Sequence, residues 1–180
     1  ITIRAPGNTR AFSGIDPDRQ RIQQNALRPI NQRYTERSAS DAHRWALTVF
    51  PCTSYAQEAD MSLAEYEDFV YAATYADQPD PAAAWRSVHD RQQRLVDWLA
   101  GKSQVTVKGP HVDLSLSIAG RTFINSDGRR NMPSGEIFTG PVEDSAQGWV
   151  HFSYPALRGG REVEDVEFVF EQGRVVHDRS

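Results

Sequence analysis

Cysteine is almost missing from this sequence: Cys52 is the only one among 180 residues. An internal disulfide framework is thereby excluded, and so is a zinc site built on cysteines. A lone free cysteine is expected as a small buried hydrophobe. Long apolar runs are missing too, and no stretch suffices for a membrane-spanning helix. Positive charge is neither abundant nor clustered. The 20 Lys and Arg stand singly or in pairs against 24 Asp and Glu, for a net charge of −4. That pattern lacks the electrostatic footprint of a nucleic-acid binder. No Gly-rich phosphate loop joins a strand to a helix, and no GxSxG marks a serine hydrolase. Cys52 has no evident histidine partner. His43, His89, His111, His151 and His177 lie far apart, without a HExxH or a His-x-His. Each is expected as a surface or structurally satisfied histidine, not a metal ligand.

What is present suits a folded domain. Hydrophobic residues make up 39%, charged residues 24%, and 8 Phe, 6 Tyr and 4 Trp supply the bulk of a core. "ITIR" alternates briefly before Pro6-Gly7, which predicts a short strand already under way at Ile1 and a chain cut from something longer. After the Asp16-Pro17 helix start, Ile22, Ala26 and Leu27 share one helical face, and Pro29 is expected to break or kink that helix. "HRWALTVFP" predicts a buried strand closed by Pro51. Ser62 with Glu65 three residues on is a capping box, followed by the stripe Leu63, Tyr66, Phe69, Val70 and Ala73. A further helix opens near Pro81, carries Trp85, Val88, Leu95, Trp98 and Leu99 as its stripe, and stops at Gly101.

Beyond Gly101 the texture becomes β-rich. "SQVTVKG", "VDLSLSIAG", "RTFINSDG", "GWVHFSYP", "REVEDVEFVFEQG" and "RVVHD" are separated by Gly, Pro and Asp-Gly breaks. In "VDLSLSI", Val112, Leu114, Leu116 and Ile118 share a face, as in a half-buried strand. "VEDS" at 142–145 reads as a polar turn, "RGGR" at 158–161 as a tight hairpin turn, and Glu162, Glu164 and Asp165 as a solvated acidic edge. The predicted class is α+β or α/β, with a partial α/β region over 1–102 and a β-rich part over 103–180.

One stretch stands apart. In "NMPSGEIFTGP", Pro133 fixes its own φ and biases Met132 toward extended geometry, Gly135 permits close backbone approach, and "EIFT" resumes a strand. Glu136 is thus a carboxylate presented at a strand start. On spacing alone two readings stand side by side: an ordinary loop glutamate with a salt bridge, or an oxygen ligand for a cation.

The run "SDGRRNMPSGEIFTGPVEDSAQGWVHFSYPALRGGREVEDVEFVFEQGRVV" resembles the segment that opens the catalytic part of the thermophilic metalloaminopeptidases of the aminopeptidase T and aminopeptidase S type. "WALTVFPCTSYAQEADMSLAEYEDFVYAA" and "VDLSLSIAGRTFINSDG" carry the resemblance upstream, over most of the chain. With one cysteine and no membrane-spanning apolar run, a reducing, cytoplasmic setting is the default expectation. The resemblance implies an exopeptidase, commonly a homodimer, that removes N-terminal residues from peptide substrates at a two-metal site holding zinc, cobalt or magnesium. Such metals polarise the scissile carbonyl and lower the pKa of a bound water. The resemblance makes Glu136 the first metal-ligating glutamate, with residues 103–180 opening the catalytic domain. The family's other ligands (a second glutamate, two histidines, a tyrosine and an aspartate) have no matching positions before Ser180. His177 and Asp178 do not match the family's strand order. The chain by itself is therefore expected to be inactive, as a portion of a metalloaminopeptidase. The rival expectation is a non-catalytic binding or dimerisation module derived from the same scaffold.

Overall fold

The structure is a computed structural model and describes residues 1–158 and 161–180. The turn expected within 158–161 has its central residues outside the described residues. Two compact units emerge. One contains Ile1–Trp85 and Asp127–Ser134; the other contains Arg86–Ser126, Gly135–Arg158 and Glu162–Ser180. Helices end at Leu99, and strands occupy the chain from Gln104 onward, an α+β arrangement.

The first unit is mostly helical. Helix α1 (Pro17–Ala39) starts with Asp16, whose side chain accepts a hydrogen bond from the Asp18 N–H at 2.8 Å. It runs through Pro29 without stopping, so of the expected break or kink the break does not occur. The carbonyl that Pro29 leaves without an N–H partner is that of Asn25, an exposed residue on a solvated helix, so water can satisfy it. The Ile22–Leu27 face is exposed rather than packed, with Ile22 at 68%. "ITIR" carries no strand. The strand expected in 43–51 shrinks to β1 (Leu47–Thr48), which is exposed. It pairs in parallel only with β5 (Asn131–Met132), and Pro133, lacking an N–H, cannot extend that ladder.

Helix α2 (Thr53–Glu58) is capped by Cys52, which is half-buried and not the core residue its type suggested. Its Sγ lies 3.4 Å from Ser54 Oγ, and that hydrogen bond is the main cause of a lowered thiol pKa. Helix α3 (Leu63–Ala73) begins with the predicted capping box. Ser62 N–H donates to Glu65 Oε2 at 2.9 Å, and Glu65 N–H donates to Ser62 Oγ at 3.3 Å. Ala56 and Val70 are the buried apolar residues of this unit.

Helix α4 (Pro81–Leu99) opens and closes as predicted, with Gly101 beyond its end at φ +77°. The second unit is built on a five-stranded antiparallel sheet. Its strands are β2 (Gln104–Gly109), β3 (Val112–Ser117), β7 (Gln147–Phe152), β10 (Val166–Glu171) and β11 (Arg174–Arg179), in the order β11-β10-β7-β3-β2. Smaller pieces are β4 (Ile124–Ser126), β6 (Glu136–Phe138), β8 (Ala156–Arg158) and β9 (Arg161–Val163). Ile118, at the end of the predicted alternating stripe, and Val88 are its buried apolar residues. Phe168 packs edge-on against Phe152 and Phe170, with ring centroids 6.2 and 6.3 Å apart. The 142–145 turn forms, with Ser145 N–H bonded to Val142 O.

The β10–β11 hairpin turns on Gln172 (φ +49°) and Gly173 (φ +76°), the two left-handed residues of a primed turn. A Cβ at Gly173 would collide with the main-chain Glu143 O, where backbone cannot yield cheaply. Gly173→Ala is expected to destabilise the chain by more than about 2 kcal/mol in urea unfolding. Ser62→Ala is expected to cost about 1 kcal/mol through loss of the cap. Hydrogen bonds from Ser62 hold the Glu65 pKa below its ordinary value. The stability linked to Glu65 is therefore present above the usual carboxylate range and disappears as pH falls through the lower, folded value. Unfolding of Ser62→Ala followed from pH 7 to 3 should show a flatter acid limb than the parent.

Candidate functional site

Glu136 is the residue around which a site can be built, and three elements of the second unit fix its place. Strands β4 and β6 pair antiparallel, with Ile124 opposite Phe138, Asn125 opposite Ile137 and Ser126 opposite Glu136. Directly opposed residues share a sheet face, so Asn125 and Ile137 project to one side and Ser126 and Glu136 to the other. The Asn125 side faces α4. Its Nδ2 donates to His89 O at 3.1 Å and to Gln93 Oε1 at 3.2 Å. The Glu136 side chain consequently points away from the helix, and it is exposed.

Gln92 joins these pieces. Its Nε2 donates to Asn125 Oδ1 at 2.7 Å, to Glu136 O at 3.0 Å and to Ser126 O at 3.1 Å. The residue is 7% exposed, and its Oε1 is buried without a hydrogen-bond partner among the described residues. Gly135 closes the hairpin, its N–H donating to Ser126 O at 3.1 Å. Gly135 sits at φ +106°, a conformation that any side chain resists. The Glu136 main chain is thereby held on both sides. Among the described residues its carboxylate makes no ion pair or hydrogen bond, so the salt-bridged loop glutamate is not what the structure contains.

A metal centre needs more than this. Among the described residues there is no group of three or more His, Cys, Asp or Glu side chains placed to hold a metal ion. The described residues alone do not fit a two-metal site, since no group of three or more candidate ligands among them includes Glu136. His177 and Asp178 sit on β11 opposite Val169 and Phe168 and, as sequence neighbours, on opposite faces.

Two features escaped sequence reasoning. Gln92 falls within the α4 stripe, four residues after Val88 and three before Leu95, and a polar residue in an apolar stripe is a readable signal. The second is a chain of contacts among residues that spacing kept apart. His151 Nδ1 lies 3.2 Å from His111 Nδ1, and His151 Nε2 lies 3.3 Å from Asp165 Oδ1. One tautomer assignment satisfies it: His111 donates to His151, which donates to the Asp165 carboxylate. Pairing of β3 with β7 sets Val112 opposite Val150, which brings His111 beside His151. Strand register, not sequence distance, decides that contact. Asp165 otherwise belongs to an exposed acidic edge with Glu162 and Glu164, as expected.

Comparison with known proteins gives this geometry its context. A family profile described as thermophilic metalloprotease (M29) matches residues 1–179. The chain belongs to that family. It is 27% identical to aminopeptidase 2 of Geobacillus stearothermophilus, over 98% of this chain and 46% of that protein. It is 28% identical to aminopeptidase T of Thermus thermophilus, over 95% of this chain and 46% of that protein. The solved structure of wild-type AmpT from Thermus thermophilus matches with a TM-score of 0.68 and 26% identity, covering 97% of this chain and 47% of that one. The chain thus spans about half the length of the relatives it matches.

The Gly135 backbone is open to a direct check. An added Cβ would meet nothing nearer than Gln92 Oε1 at 3.8 Å, so Gly135→Ala suffers from its φ and not from crowding. A loss of about 1–2 kcal/mol in urea unfolding is expected, smaller than at Gly173.

Proposed function

We propose that this chain contributes to a metal-dependent aminopeptidase that hydrolyses N-terminal residues from peptides, and that Glu136 supplies one carboxylate ligand of its divalent metals. The single observation that carries the reading is the anchoring of Glu136: its carbonyl is held by Gln92 at 3.0 Å while its carboxylate stands exposed on the opposite face. A ligand oxygen placed by fixed backbone binds without first paying to order a loop. Membership of a metalloprotease family and likeness to proteins named aminopeptidases support the same reading. Zinc, cobalt or magnesium, two per site, and a homodimeric assembly belong to this proposal through the family resemblance, and a cytoplasmic setting belongs to it as the default for a chain with a single cysteine. Because no group of three or more candidate ligands stands among the described residues, no catalytic step is assigned to them, and the 180-residue chain alone is proposed to be inactive.

Two experiments test this. The 180-residue chain, given leucyl-anilide substrate with zinc, cobalt or magnesium, should release no product; chelator-sensitive turnover would contradict the proposal. In the native full-length polypeptide, Glu136→Ala should lower bound metal per subunit and reduce kcat/KM by at least about 100-fold. Loss of a mere outer-shell partner already costs about 10–100-fold in metal affinity or activity. Unchanged metal content would favour the binding-module reading.

A further inference from the structure

We propose that His111, His151 and Asp165 form a pH-sensitive clasp, which holds two turns to the end of β7 and opens when both histidines carry a proton. The turn between β2 and β3 brings His111, and the turn before β10 brings Asp165, held at φ +53°. His151 stands between them on β7, with Nδ1 3.2 Å from His111 Nδ1 and Nε2 3.3 Å from Asp165 Oδ1. The main chain doubles the first contact, since the His151 N–H donates to His111 O at 2.8 Å.

Counting the ring protons defines the device. With both rings neutral, His111 Nδ1–H donates to His151 Nδ1, and His151 Nε2–H donates to Asp165. One added proton breaks neither contact. If it resides on His111, both bonds stay as they are; if it resides on His151, Nδ1–H donates back to a bare His111 Nδ1. In both cases the cation belongs to a chain that ends on the Asp165 carboxylate. A second proton finds no such place. Two Nδ1–H groups then face each other across 3.2 Å with no acceptor between them, and two like charges share the gap. The rings must part.

The charges around the pair are engaged elsewhere. Glu167 lies opposite His151 on β10, and its Oε2 takes Arg179 Nη2 at 3.4 Å. Asp113 on β3 takes Lys108 Nζ at 3.3 Å. Glu162 and Glu164 precede Asp165 on the exposed edge, and Asp165 is the carboxylate that reaches His151. In the unfolded chain both histidines accept protons freely, near the ordinary value of about 6.5. The folded clasp resists the second proton, so in acid the unfolded state binds more protons. The stabilisation from the clasp is therefore present above that value and lost progressively as pH falls below it.

The test is amide hydrogen exchange in the native full-length polypeptide at pH 7.5 and pH 5, corrected for intrinsic exchange. Protection at His151 is read against the centre of β3, which the clasp does not touch, and circular dichroism checks that the fold persists. In the parent, relative protection at His151 is expected to fall about tenfold at pH 5. In His111→Asn, which cannot take up a proton, relative protection should be the same at both pH values. Parent protection that ignores pH, or an equal acid loss in His111→Asn, would overturn the clasp. Should His111→Asn fail to fold, His151→Asn decides by the same reading at position 151: protection that ignores pH supports the clasp, and a parent-like acid loss overturns it.

Discussion

A buried amide nitrogen shared among three oxygens is the constraint on which the Glu136 region depends. An amide taken out of water without partners costs a few kcal/mol, so Gln92 is tolerable only because Asn125, Ser126 and Glu136 receive its hydrogens. The dependence runs the other way as well. Strands β4 and β6 are three residues each, too short to hold their register by ladder bonds alone. Fixed to α4 through Gln92 and Asn125, they gain a rigid support. Period-two alternation then does the rest, turning Asn125 inward and Glu136 outward.

The same logic separates what could be read in the sequence from what could not. Elements specified by local chemistry were legible. Ser62 and Glu65 announce a capping box, Pro81 and Gly101 bracket α4, and the alternation from Val112 to Ile118 marks β3. Elements that depend on a distant partner were not. The runs at Ile1–Arg4 and in 43–51 have the composition of strands, yet the first forms no described strand and the second forms a strand of two residues, Leu47 and Thr48, paired with Asn131 and Met132. A strand is a property of two segments, and composition reports one. Pro29 does not break α1 for a related reason: a proline ends a helix where the freed carbonyl goes unsatisfied, and on an exposed helix solvent serves.

At the candidate site, "PSGEIF" marked Glu136 as a carboxylate at a strand start, and the resemblance assigned it a ligand role. The residues that hold it were not legible in the same way, because Gln92 and Asn125 lie 44 and 11 positions away from it in sequence and their bonding depends on tertiary approach. The interrupted stripe of α4 was the one available hint. The His111–His151–Asp165 chain shows the same limit, since antiparallel pairing sets residues 40 apart side by side.

The family is established over nearly the whole chain, which spans about half the length of its relatives, and the proposed metal chemistry rests on the reading of Glu136 as a ligand. The most direct test of that account is anomalous diffraction from crystals of the native full-length polypeptide, recorded at the absorption edge of the bound metal. The account predicts an anomalous peak with a Glu136 carboxylate oxygen at about 2.0–2.2 Å, as for zinc bound by carboxylate. Ordered metal with no Glu136 oxygen in its coordination shell would contradict it.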